Sequence, residues 1–467
     1  MTIRFGTDGW RAVIDEDFTP QNVAAVAQSY ADLYPNLKEC GKPVVVGYDR
    51  RNRSKESAEL IAQVLTANGI TTWLSDGYCP TPCVSWMVKK YGGAAGIMVT
   101  ASHNPPKWNG IKFKESYGGA ASPDYTRPIE EQIEANQAGN RTPKTMELQS
   151  NKRLQLFDPY GDYVGHLKGM VDLAAIQKSG IRVLADPLYG AGSDFFADLL
   201  GDQVTQIHTA ADPTFGGLHP EPILPYVQEA IDTIKKQKGF HACLITDGDA
   251  DRIGAIDENG NYVTSHEIFS LLIQHAVGHR KWSGKVIKSI STTVMIDRLC
   301  AKLGLPLQVT PIGFKHISPA MKAEGVMIGG EESGGIGFPI HICERDGLFC
   351  ALLLIEMMVA RKKTLGELVD ALQKGFGPCS YKRVDLTLPR EKIEGIKKKL
   401  ATTKLETLAG QKIKKKTLID GYHFQLEDDS WLLIRPSGTE PLLRTYAEAP
   451  TAEKVAALLQ EALGFVA

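Results

Sequence analysis

Short apolar runs alternating with helix-patterned stretches predict an α/β protein of several domains. Three observations carry this reading. The run Val44-Val45-Val46-Gly47-Tyr48-Asp49 lies between helix-patterned segments, and the same strand–turn–helix rhythm reopens near Pro159 and near Glu267. After Pro378 the texture changes to that of a small α+β domain. The chain has 467 residues, too many for one hydrophobic core, so three or four domains are expected.

In chain order, residues 20–33 read as a helix and residues 44–49 as a buried strand of parallel type. A helix from Ser54, read as its N-cap, runs to about Ala67. Arg50, Arg51 and Arg53, in the turn between them, read as surface charges, with phosphate steering as the alternative. Residues 71–74 form the next strand, and Pro80-Thr81-Pro82 leads into a helix through Lys90. The second cycle has one helix from near Pro159 to about Lys178, a strand over 181–184, a helix over 226–238 and a strand over 242–245. Gly190-Ala191-Gly192-Ser193 is a short glycine turn without GxGxxG spacing, which argues against a dinucleotide site. The third cycle has a helix over 267–278, a strand over 285–290, a segment 309–313 and a further helix. The longest apolar stretch, Leu348 to Ala360, is broken by Glu356 and reads as a buried helix, too short to span a bilayer. Beyond Pro378, residues 381–388 and 432–435 read as strands, 392–400 and 452–463 as helices, and Lys414–Lys416 as a charged turn.

Four stretches carry chemistry. The first is GIMVTASHNPPKWNGIKFK, residues 96–114. Its apolar start ends at Ala101, and Pro105-Pro106 forbids a continued ladder because proline lacks the donor N–H. Ser102 should therefore sit on a tight loop with its hydroxyl presented rather than buried, with His103 beside it. Asn109-Gly110 is a hairpin signal, and residues 111–114 alternate as a returning strand that brings Lys112 back. This is not the GxSxG of a hydrolase elbow.

The second stretch is TDGDADRIG, residues 246–254. In an extended loop Asp247, Asp249 and Asp251 project to one side about 6–7 Å apart. Three hard carboxylates suit Mg²⁺ with room for a phosphate oxygen. The competing reading is a calcium loop with Glu258 as its twelfth residue, but Arg252 occupies the required glycine position and residues 243–245 look like a strand. The third is GGEESGGIGF, residues 329–338, in which Glu331, Glu332 and Ser333 offer acceptors for sugar hydroxyls. The fourth is RPSGTEPLLR, residues 435–444, where Arg435, Ser437, Gly438 and Thr439 supply a guanidinium fork, two hydroxyls and backbone N–H groups fit for a phosphate.

Together these stretches resemble the α-D-phosphohexomutase superfamily, which includes phosphoglucomutases and phosphomannomutases. The resemblance rests on TASHNP at Thr100–Pro105, DGDADR at Asp247–Arg252, GEES at Gly330–Ser333 and RPSGTEP at Arg435–Pro441, with the opening FGTDGWR at Phe5–Arg11. It implies three similar α/β domains with mixed sheets plus a smaller C-terminal α+β domain, the active site lying in a central cleft. The boundaries expected are 1–150 for a phosphoserine domain, 151–265 for metal binding, 266–378 for sugar binding and 379–467 for a phosphate-binding lid. It implies that Ser102 carries a phosphoryl group and exchanges it with a hexose 1- or 6-phosphate through a bound glucose 1,6-bisphosphate. Ser102, Asp247, Asp249 and Asp251 would then hold Mg²⁺. Lys112 and Arg11 match positions for proton transfer or transition-state charge, and His103 the residue after the nucleophile. Arg252, Lys315, Glu331 and Ser333 match substrate contacts, and Arg435, Ser437, Gly438 and Thr439 the holder of the non-reacting phosphate. Gly335 stands where many dual-specificity members have histidine, and GEES is more similar to glucose-directed members. Phosphoglucomutase is therefore the favoured reading, with mannose phosphates left open as further substrates. A glucose 1,6-bisphosphate synthase is the alternative, ahead of a phosphoglucosamine mutase or a silent phosphosugar-binding protein.

Composition agrees with these expectations. The formal net charge is −1 and 43% of residues are hydrophobic, with no basic excess for nucleic acid. The polar start MTIRFGTDGWRA has no apolar run of a signal peptide. Eight scattered cysteines read as free thiols of a reducing cytoplasm. The expected protein is cytoplasmic, binds no membrane, and is a monomer or weak homo-oligomer.

Overall fold

The computed structural model describes residues 3–6, 8–149, 151–403, 405–436 and 441–465. Contacts divide the chain into two units, Met1–Gly284 with Gly313–Leu368, and Lys285–Ile312 with Val369–Ala467.

The first unit opens with a six-stranded sheet. Its order is Trp10–Val13, Trp108–Glu115, Ala95–Val99, Val44–Tyr48, Thr72–Ser75 and Leu154–Phe157. Val44–Tyr48 is buried along its whole length and runs parallel to both neighbours, as its β-branched sequence demands. Tyr48 pairs with Val99, so the segments that follow these two strands, Asp49–Arg51 and Thr100–Ser102, emerge side by side. This is the carboxyl end of the parallel strands, where open α/β sheets place ligands. Helices Pro20–Leu33 and Ser54–Ala67 bury Val23, Tyr30, Ile61 and Leu65 in the core beneath the sheet.

A five-stranded sheet follows in the order Tyr262–Val263, Ile253–Asp257, Ala242–Thr246, Val183–Asp186 and Val204–Gln206. Thr246 pairs with Ile253, which makes residues 247–252 the connection of an antiparallel hairpin. In the same unit Gly330 pairs with Ile336, and the tip between them carries Glu331 and Ser333. The buried helix Gly347–Arg361 follows, its N-terminus capped by Asp346 accepting from the Phe349 N–H at 2.9 Å.

The second unit contains the parallel pair Lys285–Ser289 and Leu307–Thr310 with the helix Val294–Leu303 between them. Its antiparallel sheet has the order Ser380–Thr387, Leu442–Ala449, Trp431–Pro436, Tyr422–Leu426, Gln411–Thr417 and Thr407–Leu408. Helices Arg390–Thr402 and Ala452–Gly464 bury Ile396, Leu400, Val455 and Leu458 against it.

Several local readings are corrected. Asn109-Gly110 lies inside the strand Trp108–Glu115 rather than at a turn, because a Cβ at Gly110 would stand 2.2 Å from the Trp10 carbonyl oxygen on the neighbouring strand. Ser54 is the first helical residue, not the cap; its hydroxyl donates to Asp49 instead. The helix expected over 159–178 breaks at Val171, since Asp172 caps a second helix, Leu173–Lys178. Lys414–Lys416 belongs to the strand Gln411–Thr417, whose run of lysines hides the alternation. All eight cysteines are free thiols. Among the described residues no helix is long and apolar enough to cross a membrane.

One ion pair of the second sheet gives a pH test. His208 lies 2.9 Å from Asp186 and 3.0 Å from Glu229. Burial alone would lower its pKa, but the two carboxylates outweigh it and raise it to about 9. The stabilisation by the charged imidazole is complete below its unfolded value near 6.5 and fades as pH rises through about 9. His208→Asn should abolish that part of the fall in thermal midpoint between pH 6.5 and 9.5. Parallel melting curves with the same slope in both proteins would refute the assignment.

Candidate active site

Ser102 occupies the loop that the paired strand ends present. Its φ is +53°, a left-handed value that costs a non-glycine residue roughly 1–2 kcal/mol. The loop supports the strain from both sides: the Ser102 N–H donates to Thr100 Oγ1 at 2.8 Å, and the Asn104 N–H closes onto the Ala101 carbonyl at 3.0 Å. The expectation of a presented hydroxyl is corrected here. Ser102 is fully buried, and its Oγ donates to Asp247 Oδ2 at 2.8 Å. The hydroxyl faces the aspartate loop rather than solvent. The approach is backbone-tight, because a Cβ at Gly248 would stand 2.5 Å from the Ser102 carbonyl oxygen.

His103 Nδ1 lies 3.4 Å from Ser102 Oγ, and its Nε2 is 3.9 Å from Glu221 Oε1. Burial, then the charges of Arg252, Arg11 and Lys112, holds the imidazole well below its usual range and so neutral. Arg11, at the edge of the sheet, donates to Asn104 Oδ1 at 2.5 Å, two residues past the serine.

Asp247, Asp249 and Asp251 converge because the connection 247–252 is a tight turn, with Ala250 at φ +55°, not the extended loop expected. One oxygen from each lies within 4.8 Å of the others. All three are fully buried. Burial, then the neighbouring charges of Asp249 and Asp251, raises the Asp247 pKa. For Asp249 burial is the largest influence, but Lys112 overcomes it and keeps the carboxylate ionised. Lys112 Nζ lies 2.8 Å from Asp8, Asp249 and Asp251 alike. Asp249 Oδ1 and Asp251 Oδ1 remain buried without a hydrogen-bond partner. Two orphan carboxylate oxygens in a three-aspartate cluster suit a hard divalent cation, which needs anionic oxygen ligands. The calcium-loop reading fails: strands flank the turn, and Glu258 is held elsewhere by the Thr364 hydroxyl at 2.7 Å and the Gly366 N–H at 2.9 Å.

Arg252 Nε is 3.9 Å from Asp247, and its Nη1 is 3.4 Å from Glu221. Glu331 accepts from Ser333 Oγ at 2.8 Å and from Arg345 Nη1 at 3.1 Å. Arg345 Nη2 in turn lies 2.5 Å from Asp8 and 2.7 Å from Asp251. One guanidinium thus joins the hairpin tip at 331–335 to the aspartate loop. Gly335 is explained by it, since a Cβ there would stand 2.2 Å from Arg345 Cδ. Lys315 reaches the Gly6 carbonyl at 3.4 Å, beside the N-terminal loop that bears Asp8.

In the second unit Arg435 lies within the strand Trp431–Pro436, and its Nε donates to Asp420 at 2.9 Å. Ser437, Gly438 and Thr439 lie outside the described residues.

Four family profiles match the chain in order. They are described as Phosphoglucomutase/phosphomannomutase, alpha/beta/alpha domain I over residues 2–140, domain II over 161–260, domain III over 264–376 and the C-terminal domain over 383–464. A Phosphoglucomutase/phosphomannomutase of Thermococcus kodakarensis is 30% identical over 98% of this chain and 96% of its own. The chain belongs to this family. A Probable phosphoglucosamine mutase of Methanothermobacter thermautotrophicus is likewise 30% identical, over 99% and 97%. The crystal structure of a putative phosphomannomutase from Thermus thermophilus matches with a TM-score of 0.86 and 31% identity over 100% of this chain and 99% of that one. The fold is therefore three α/β domains with a C-terminal fourth, and the protein is an isomerase of the phosphohexomutase superfamily.

Within this phosphohexomutase fold the structure brings together Arg11, Ser102, His103, Lys112, the three aspartates, Arg252, Glu331 and Ser333. Sequence reasoning passed over Asp8, Thr81, Glu221 and Arg345. Thr81 binds Asp249 through both its N–H, at 2.9 Å, and its hydroxyl, at 2.5 Å. Asp8 stands inside the quoted FGTDGWR, and the local signal Arg345 could have given is the ERDG run, residues 344–347, shortly after GEES.

The charge network predicts a coupled effect of metal and stability. Lys112→Met leaves buried carboxylates without their cation, a change that costs about 3–5 kcal/mol. The variant should melt well below wild type in chelator, and added Mg²⁺ should restore much of the difference. Equal melting temperatures in chelator would show that Lys112 does not balance these charges.

Proposed function

We propose that the protein interconverts glucose 1-phosphate and glucose 6-phosphate, with Ser102 as the phosphoryl carrier and glucose 1,6-bisphosphate as the bound intermediate. The observation that carries this is Ser102 itself: a strained, buried hydroxyl 2.8 Å from Asp247, with a neutral histidine beside it. Phosphoryl transfer asks for placement and charge neutralisation more than for covalent activation. Asp247, Asp249 and Asp251, with an oxygen of the phosphorylated Ser102, would hold Mg²⁺, which supplies Lewis-acid polarisation of the phosphoryl oxygens. Lys112, Arg11 and Arg252 add fixed positive charge around the serine. His103 would stand neutral beside the serine, its Nδ1 3.4 Å from Ser102 Oγ.

Glu331 and Ser333 would read the sugar hydroxyls, with Lys315 nearby. Arg435, with Ser437, Gly438 and Thr439, would hold the phosphate that is not reacting, so that the sugar can present either end to Ser102. On this reading residues 1–150, 151–265, 266–378 and 379–467 serve as serine, metal, sugar and phosphate-holding domains. Glucose is favoured over mannose by GEES and by Gly335, whose place beside Arg345 admits no side chain. The free thiols support a cytoplasmic setting. The similarity to a protein named phosphoglucosamine mutase makes glucosamine phosphates a necessary comparison. A bisphosphate synthase would use the same residues. Incubating the phosphorylated enzyme with glucose, mannose and glucosamine 1-phosphates and following phosphorus NMR separates these outcomes. Accumulation of free bisphosphate would replace the mutase reading with the synthase.

Peptide mass spectrometry should find one phosphate, on Ser102, and Ser102→Ala should lower kcat by roughly a thousandfold or more while substrate still binds. Phosphate found solely on another serine would sink the assignment.

Arg435 is expected to separate holding from chemistry. It would contact ground state and transition state alike, so its loss should appear mainly in KM. A charge-assisted bond to phosphate contributes about 1.5–3 kcal/mol, so Arg435→Ala should raise KM for glucose 1-phosphate roughly ten- to a hundredfold. An unchanged KM would remove Arg435 from the phosphate site.

A further inference from the structure

Arg51 is a charged side chain with no exposed surface, and the chemistry above leaves it without a role. The sequence reading placed it on the surface; the structure places it inside the serine loop. Its Nη2 donates to the carbonyls of Ser102, at 2.5 Å, and Asn104, at 2.7 Å. Its Nη1 donates to those of Pro105, at 3.0 Å, and Trp108, at 3.1 Å. Nε lies 3.2 Å from Asp49 Oδ2, and the Phe215 ring covers the guanidinium at 4.7 Å. Four carbonyls of one seven-residue turn, 102–108, therefore converge on one cation. Only a planar fork with several fixed donors can hold such a set.

Asp49 completes the arrangement. It accepts from the Arg51 N–H at 3.0 Å, from Ser54 Oγ and from Thr100 Oγ1, both at 2.6 Å. Thr100 Oγ1 is also the acceptor for the Ser102 N–H. The Asp49–Arg51 pair thus fixes Ser102 from both ends, its N–H through Thr100 and its carbonyl directly. In a trans peptide, drawing the Ser102 carbonyl toward the guanidinium aims the His103 N–H the opposite way. Among the described residues that N–H has no acceptor.

We propose that Arg51 is a positioning residue for phosphoryl transfer: it locks the left-handed turn that aims Ser102 Oγ at the aspartate loop and leaves the His103 amide open to a phosphoryl oxygen. This rests on the reading of Ser102 as carrier. The same serine must give its phosphoryl group to one sugar oxygen and take it back from another. Small misplacement of reacting atoms costs about a hundredfold in rate. Arg51 touches no substrate, so the lock acts on turnover and not on affinity.

The test compares wild type, Arg51→Lys and Arg51→Ala, each phosphorylated with glucose 1,6-bisphosphate and assayed with glucose 1-phosphate. Lysine keeps charge and most of the volume but not the fork. Arg51→Lys should fold, with kcat down about ten- to a hundredfold and KM within about twofold of wild type. In Arg51→Ala, guanidinium ion at concentrations far below those that unfold the protein should restore part of kcat, whereas methylammonium should not. Full kcat in Arg51→Lys overturns the proposal. So does a loss of kcat in Arg51→Ala that follows the drop in melting temperature and is untouched by guanidinium. Absence of phosphate from Ser102 in the wild type would instead overturn the carrier reading, and this proposal with it.

Discussion

Four carboxylates, Asp8, Asp247, Asp249 and Asp251, lie buried or nearly so within one site, and the first unit is built around keeping that charge balanced. Burial of an unpaired carboxylate would cost several kcal/mol. Lys112 meets three of them at once, and Arg345 meets two of the three and reaches Glu331 besides. Each partner comes from a different stretch of chain. The N-terminal loop, the returning strand of the first sheet, the hairpin of the second and the segment before the long buried helix are therefore tied electrostatically. The same network leaves two carboxylate oxygens unused, which is the opening a divalent cation fits.

Strand geometry delivers these groups. Ser102 and Arg51 each follow a strand end, and the register that pairs Tyr48 with Val99 sets those ends level. Asp247–Asp251 lies in a hairpin connection because Thr246 pairs with Ile253. Glu331 and Ser333 fill the tip made by the Gly330–Ile336 pair. In each case an apolar strand ends abruptly and the next few residues carry the chemistry. Position in the sheet, not the chemistry of any single residue, decides which side chains meet.

That local arrangement explains what was legible beforehand. TASHNP, DGDADR and GEES each concentrate their chemistry in a few adjacent residues, so sequence alone could find them. The first helix was legible because Pro20 starts a run with its apolar residues on one face, and the Gly347–Arg361 helix because its apolar run is long. Arg345, Thr81 and Arg51 were not legible in role, because their partners lie 94, 168 and 51 residues away. The burial of Ser102 was missed for the same reason: the wall that covers it belongs to a different sheet. Asn109-Gly110 misled because a glycine demanded by a neighbouring strand looks the same in sequence as one demanded by a turn.

Arg345 beside Gly335 has a consequence for how the site meets a changing medium. Where an imidazole would gain or lose a proton over the range that cells experience, a guanidinium keeps its charge throughout. The acidic loops here are countered by arginine and lysine, and His103, the histidine beside them, is held neutral first by its burial and then by the charges of Arg252, Arg11 and Lys112. The positive charge around Ser102 is thus fixed across that range, and the group at the serine whose protonation can follow the medium is Asp247, its pKa raised by burial and by the neighbouring charges of Asp249 and Asp251.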